Sequence, residues 1–349
     1  MDRRQFLIAG LASPVLFPPQ ALARAPVFIA DMHFHLFFIG PNPASSRSLA
    51  REMAAGKATL VSWSLVGDLG WLGRSPRGFV QKGAPRRGEA AAWFHAELGR
   101  IKRYIAGQNL KIVRTSADLD LALRGDPHIV LSVEGATFVD DDLSQLKVAY
   151  DAGVRHIQLV HYIRNSIGDF QTERPQHNGL TAFGRSVVQE CNRLGILVDL
   201  AHCTSDVVTA ALSVSRAPMV WSHSSVTRWR SPHWSMPAWQ ARQLNAATAR
   251  AIASKGGVVG LWGVRSDVGQ TIGAYADRLA EMADWLGEDH AAFGTDMNGL
   301  INPVIANFTD LQRVIDHWGR RNTSDRRMRK LAIENYARVL RQAFAARQA

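Results

Sequence analysis

Eight short apolar runs punctuate the chain, at residues 27–31, 59–65, 129–133, 156–160, 196–201, 219–222, 257–262 and 291–294. Each is bounded by polar or glycine-rich segments, which is how strands read in a sequence. Helical patterns fall between them at 89–106, 183–194, 238–254 and 272–286, with Gly195 and Gly287 placed where a helix would end. Strand and helix alternating in this way predict an α/β chain folded as a (β/α)8 TIM-type barrel. An open doubly wound sheet is the competing arrangement. It carries a glycine-rich phosphate loop after its first strand, whereas here the first run leads into Asp31-Met32-His33-Phe34-His35-Leu36. From Asn307 onward the pattern is of extra C-terminal helices, with a turn and cap at Asn322-Thr323-Ser324-Asp325. Residues 67–88, rich in Gly, Pro and Arg, are expected to form a long loop after the second strand. Neither a second domain nor a repeat is evident.

Polar residues collect where these strands end. His33 and His35 follow the first strand, Glu134 the third, His161 the fourth, His202 the fifth, His223 the sixth and Asp296 the eighth. In a barrel the C-terminal strand ends converge on one face, so residues distant in sequence become neighbours there. Side chains two apart on a strand point the same way, which lets His33 and His35 share one cation. His202 and His223, from adjacent strands, suit a second. Glu134 has two carboxylate oxygens and is expected to bridge two cations about 3.5 to 4 Å apart. Imidazole with carboxylate suits Zn(II), with Mn, Co or Fe as alternatives. Cys203 follows His202 directly, and strand alternation turns it away toward packing.

Composition changes little in this picture: 349 residues, 46% hydrophobic and 20% charged, are ordinary for one large domain. The net charge of +11 raises the question of a polyanion partner. The densest basic group, Arg320, Arg321, Arg326, Arg327, Arg329 and Lys330, comes with no aromatic-basic module, so a solvated face is expected rather than a nucleic-acid site. The N-terminus matters more. Arg3-Arg4 precedes an apolar run to about Phe17 and an Ala21-Leu22-Ala23 cleavage pattern, which together read as a twin-arginine export signal over residues 1–23. The run is shorter than the roughly 20 residues a membrane span needs. Residues 24–349 are then a single barrel domain, periplasmic or secreted. Cys191 is expected near a helix end and Cys203 at the far end of the next strand, a separation of roughly 20 Å that predicts two free thiols.

The chain resembles the membrane (renal) dipeptidase family, the M19 metallopeptidases, over nearly the whole of 24–349. The resemblance is carried by Ser132-Val133-Glu134-Gly135, Gln158-Leu159-Val160-His161, Gly179-Leu180-Thr181-Ala182-Phe183-Gly184, Asn192-Arg193-Leu194-Gly195-Ile196-Leu197-Val198-Asp199-Leu200-Ala201-His202, Ser222-His223-Ser224-Ser225 and Gly294-Thr295-Asp296-Met297-Asn298-Gly299. The segment from Ile333 to Val339 is similar to the family's closing helix. The resemblance implies two divalent metal ions, with His33 on the first, Glu134 bridging, and His202 and His223 on the second. It implies dipeptide hydrolysis by a metal-bridged hydroxide, with His161 at the substrate carbonyl and Asp296 passing a proton to the leaving amine. It also implies a homodimer.

Two departures stand out. Where the family has His-x-Asp on strand one, this chain has His35 in the aspartate position. Where the family places an arginine for the dipeptide carboxylate, eleven residues after the strand-six histidine, counting reaches Trp234, with Arg228 and Arg230 nearby as possible substitutes. A free-dipeptide specificity is thereby opened to a second reading, hydrolysis of another small amide or lactone with an apolar end stacked on Trp234. A metal-binding periplasmic protein without catalysis is a third.

Overall fold

The computed structural model describes residues 25–36, 48–75, 78–227 and 241–347. Eight parallel strands form its centre: β1 (Ile29–Phe34), β2 (Ala58–Val66), β3 (His128–Glu134), β4 (Val154–Gln158), β5 (Leu197–Asp199), β6 (Val220–Ser224), β7 (Val258–Leu261) and β8 (Ala291–Phe293). Each pairs with the next in chain order, the arrangement that repeated right-handed βα units produce. A ninth short strand, Lys111–Ile112, pairs with the start of β3.

The sheet closes where β8 meets β1. Asp296 N–H donates to His33 O at 3.0 Å and His35 N–H to Met297 O at 2.9 Å. Below them Asp31 accepts from Thr295 N at 3.0 Å, from Thr295 Oγ1 at 2.5 Å and from His33 N at 3.1 Å. Burial pushes the Asp31 carboxyl up to about 6 against these hydrogen bonds. The seam therefore lies directly under the strand-one histidines.

Two cores result. One fills the space between strands and surrounding helices, and buries Phe94, Val187, Leu279 and Trp318 among many others. The second sits inside the barrel at the N-terminal strand ends, where Ala30, Leu60, Val130, Leu197, Val220, Val258 and Ala292 meet Ile333, Tyr336, Val339 and Leu340. The helix Asn335–Ala345, entered through a π-helical turn at Lys330–Glu334, thus plugs one end of the barrel. The other end is left for chemistry.

The helices stop and start where local chemistry directs. Thr181 caps Ala182–Leu194 by accepting from Gly184 N, and Gly195 ends it at φ +79°. Thr271 caps Ile272–Leu286 in the same way. Some sequence expectations move. The stretch 67–88 holds a turn, Leu69–Trp71, and an antiparallel hairpin, Leu72–Ser75 with Gly78–Gln81, rather than one long loop. Of the helix expected over 238–254, residues 238–240 lie outside the described residues; the described helix that caps on Asn245 runs over Ala246–Ser254, because Leu244–Asn245 first pairs with Val226–Thr227. β1 and β6 extend further than expected, so His33 and His223 lie within strands. Cys191 and Cys203 are both buried and free. Within the basic cluster, Arg321, Arg327, Arg329 and Lys330 pair with Asp277, Asp284, Glu334 and Asp289. Among the described residues no helix is long and apolar enough to cross a membrane.

Candidate active site

Glu134, the last residue of β3, stands at the middle of the open end. Its Oε1 lies 3.1 Å from His202 Nε2, 3.4 Å from His33 Nε2, 3.5 Å from His161 Nε2 and 3.6 Å from His223 Nε2, and its Oε2 lies 3.5 Å from His35 Nε2. All six side chains are buried. Two ligand groups share the carboxylate, His33 with His35 and His202 with His223, each with its ligand atoms within 4.8 Å of one another.

The ring orientations follow from what holds each Nδ1. His35 donates Nδ1–H to Ser64 O at 2.9 Å, which leaves the Nε2 lone pair facing inward. Ser222 Oγ lies 3.1 Å from His33 Nδ1 and 2.8 Å from His223 Nδ1, and Ser64 Oγ lies 3.2 Å from His33 Nδ1. A ring held at one nitrogen presents the other as a ligand. Nε2 atoms of His33 and His35 stand 3.1 Å apart, and those of His202 and His223 stand 3.3 Å apart. Lone pairs converging in this way fit divalent cations, and the donor set is the one expected for them. His202 and Asp296 adopt φ of +68° and +56°, a backbone region that non-glycine residues enter at a cost and that clusters at functional sites.

Electrostatics separates the two ligand groups. His35 is raised above the ordinary histidine range: burial opposes this, but Asp296 and Glu134 outweigh it. His202 and His223 are held well below that range, chiefly by burial, with the positive charge of Arg242 adding to it. Glu134 is held well below the usual carboxylate range, its histidine partners overcoming burial.

Above this floor opens a cavity of about 540 Å³ whose lining includes His161, Asp296, Tyr162, Arg242 and Trp262. That volume is of the size that holds small ligands. Asp296 Oδ1 lies 3.3 Å from His35 Nε2. Asn298 helps fix the loop behind it by donating to His35 O at 2.7 Å, while Met297 is fully buried.

Arg242 was not among the residues expected. Its guanidinium donates to Tyr162 OH at 3.1 Å and approaches His223 Nε2 at 3.0 Å, 5.4 Å from the centre of the Trp262 ring. Its backbone is fixed by Ser224 Oγ, which donates to Arg242 O at 2.9 Å. Arg228, Arg230 and Trp234 lie outside the described residues. Counting eleven residues from His223 assumes a loop of constant length, and surface loops tolerate insertions. The strand pair at Leu244–Asn245 is the better ruler, because it is hydrogen-bonded back to the residues that directly follow β6, Leu244 N donating to Ser225 O at 3.2 Å. A tryptophan at position 234 therefore does not leave the cavity without an arginine. Asp68 was also missed. It lies two residues beyond β2, so the strand-end rule that found the histidines would have found it too.

The comparisons agree with this geometry. The family model for membrane dipeptidase (peptidase family M19) matches residues 72–349. The chain belongs to that family. Among curated relatives, dipeptidase tcpJ of Claviceps purpurea is 28% identical over 221 residues, covering 61% of this chain and 50% of its own length. Dipeptidase verJ of Clonostachys rogersoniana is 27% identical over 247 residues, covering 69% of this chain and 61% of its own. The chain thus spans about half to three-fifths of these relatives. Among solved structures, a Rhodobacter sphaeroides metallopeptidase liganded with a phosphinate mimic of L-Ala-D-Ala superposes with a TM-score of 0.73 at 22% identity, covering 91% of this chain and 99% of that one. This family member therefore shares the barrel with a protein whose ligand mimics a dipeptide.

Proposed function

We propose that the protein is a metal-dependent dipeptidase. The observation that carries the reading is that one buried carboxylate, Glu134, touches five imidazoles while Asp296 and Arg242 face the same cavity. His33, His35 and Glu134 would hold one divalent ion and Glu134, His202 and His223 a second, with Zn(II) the ion these donors suit. Bound there, such ions would polarise the amide carbonyl and lower the pKa of water. The chain's own groups supply the rest. His161 Nε2 faces the position of the carbonyl oxygen. Asp296 takes a proton from the attacking water and delivers it to the amide nitrogen as the C–N bond breaks, giving a free carboxylic acid and a free amine. The presence of Asp296 and His161 in the cavity favours catalysis over metal binding alone.

Arg242 is the partner for the substrate's terminal carboxylate. Its Nε has no hydrogen-bond partner among the described residues, and one of the guanidinium's two hydrogen-bond contacts there is to a nitrogen that a metal would claim. A buried guanidinium in that state needs an anion. Replacing Arg242→Met is expected to weaken KM for free dipeptides by about ten- to a hundredfold, the equivalent of roughly 1.5 to 3 kcal/mol, and to change little for C-terminally amidated ones. A wild-type enzyme that cleaves both alike would rule the contact out.

Acid should strip the two ligand groups in order. Each bound proton removes a lone pair from a cation. His35 gains its proton above the ordinary histidine range and His202 and His223 only well below it, so falling pH should empty the His33–His35 side first. Elemental analysis after dialysis at stepped pH is expected to show loss from two ions to one and then to none. Simultaneous loss would contradict the assignment.

We also infer export by the twin-arginine route. The support is the run from Arg3-Arg4 to Ala21-Leu22-Ala23, which lies outside the described residues. Changing Arg3 and Arg4 to lysine should leave the uncleaved chain in the cytoplasm on cell fractionation. Unchanged export would refute the signal.

A further inference from the structure

His161 differs from the other histidines of the site in what stands behind it. His33, His35 and His223 rest Nδ1 on serine hydroxyls or a backbone carbonyl, whereas His161 Nδ1 lies 2.7 Å from a carboxylate oxygen of Asp68. Asp68 is fully buried. Its second oxygen accepts from Tyr162 N at 3.1 Å and from Ile163 N at 3.2 Å. Backbone amides only donate, so that oxygen is committed, and a carboxylate facing Nδ1 requires the ring to carry its proton there.

The surrounding backbone leaves the pair no alternative arrangement. Gly67 N–H donates to Glu134 O at 2.7 Å, and a Cβ on Gly67 would sit 2.2 Å from Gly135 O. Gly135 is at φ +87°, and a Cβ there would stand 3.0 Å from His161 Cβ. The segments following β2, β3 and β4 are therefore interlocked through two glycines. Asp68, Glu134 and His161 arrive as one unit.

We propose that Asp68 is the positioning residue for His161: by accepting the hydrogen bond from Nδ1–H it keeps that proton in place and holds the ring with Nε2 turned to the cavity. His161 belongs to neither group of metal-ligand atoms, so its Nε2 is left for the substrate. The kinetic consequence rests on the dipeptidase reading, whereas the tautomer does not.

The first test needs no substrate. A long-range nitrogen–proton spectrum of metal-loaded protein labelled with 15N-histidine, assigned by comparison with His161→Ala, is expected to show His161 protonated at Nδ1. An unprotonated Nδ1 overturns the proposal, and this test stands even if no Asp68 variant folds. The second test is Asp68→Asn, whose single carbonyl oxygen cannot serve both the two amides and Nδ1–H, so the ring loses its fixed hydrogen-bond acceptor. With both metal ions retained, kcat is expected to fall by about tenfold to a hundredfold, the order of one lost charge-assisted hydrogen bond, with KM within about threefold. In a His161→Ala background the same change should cost nothing more. Unchanged kcat, or an equal loss in both backgrounds, overturns the assignment. A wild-type protein that cleaves no dipeptide would instead sink the dipeptidase reading and leave the spectrum to decide the role of Asp68.

Discussion

Glu134→Gln is expected to leave the barrel folded but to reduce bound metal from two ions to less than one and to abolish measurable dipeptide hydrolysis. The substitution keeps the size of the side chain and removes its charge. Five imidazole nitrogens lie within 3.1 to 3.6 Å of the Glu134 oxygens, so this carboxylate is the one anion common to both ligand groups. A neutral amide would offer one oxygen to two dications and turn N–H donors toward the second. Loss of an ionised hydrogen-bonding partner costs about 1.5 to 3 kcal/mol even without a metal, and two divalent charges in a buried site raise that. The position of Glu134 at the end of β3 is fixed by pairing of the whole of β3 with Leu60–Val66 of β2, which argues that the fold survives. Elemental analysis beside a thermal melt checks both halves. A variant holding two ions with wild-type turnover would exclude the bridge.

Asp296→Asn should separate binding from chemistry. The side chain sits at the barrel seam, 3.3 Å from His35 Nε2, and its backbone N–H donates to His33 O at 3.0 Å. Those backbone bonds do not depend on the side chain, and an amide preserves its shape at a φ of +56°, where asparagine is as well tolerated as aspartate. Metal content and KM are therefore expected to stay within a few-fold. Turnover is expected to drop by about 10² to 10⁴, the range that a single proton-transfer group contributes. The readout is kcat on a dipeptide with the metal content measured on the same sample. Retained turnover would remove Asp296 from proton transfer and leave it as a partner of His35.

The separation between these two acids was legible before any tertiary structure, because both stand at strand ends and the barrel rule sends strand ends to one face. Apolar runs and helical periodicity are local properties, set by each side chain's preference for burial, so the order of strands and helices and the positions of the six acidic and imidazole groups around Glu134 follow from them. The resemblance to the membrane dipeptidases rests on the same segments. Residues 67–88 show where local reading stopped: a hairpin there depends on cross-strand pairing that no single window displays.

What lay beyond the sequence has one physical origin, the dependence of a contact on parts of the chain that no fixed spacing connects. Arg242 reaches the cavity because Leu244–Asn245 pairs with Val226–Thr227 across an intervening loop, and loop length is free to vary while the pairing is not. Asp68 acquires meaning only when Gly67 and Gly135 let three segments approach closely enough for its carboxylate to reach His161. The candidate ligand set was written in residue type and strand position. The charge state, orientation and partners of those ligands were decided by packing, since burial, hydrogen bonds and neighbouring charges exist only once the chain has closed on itself.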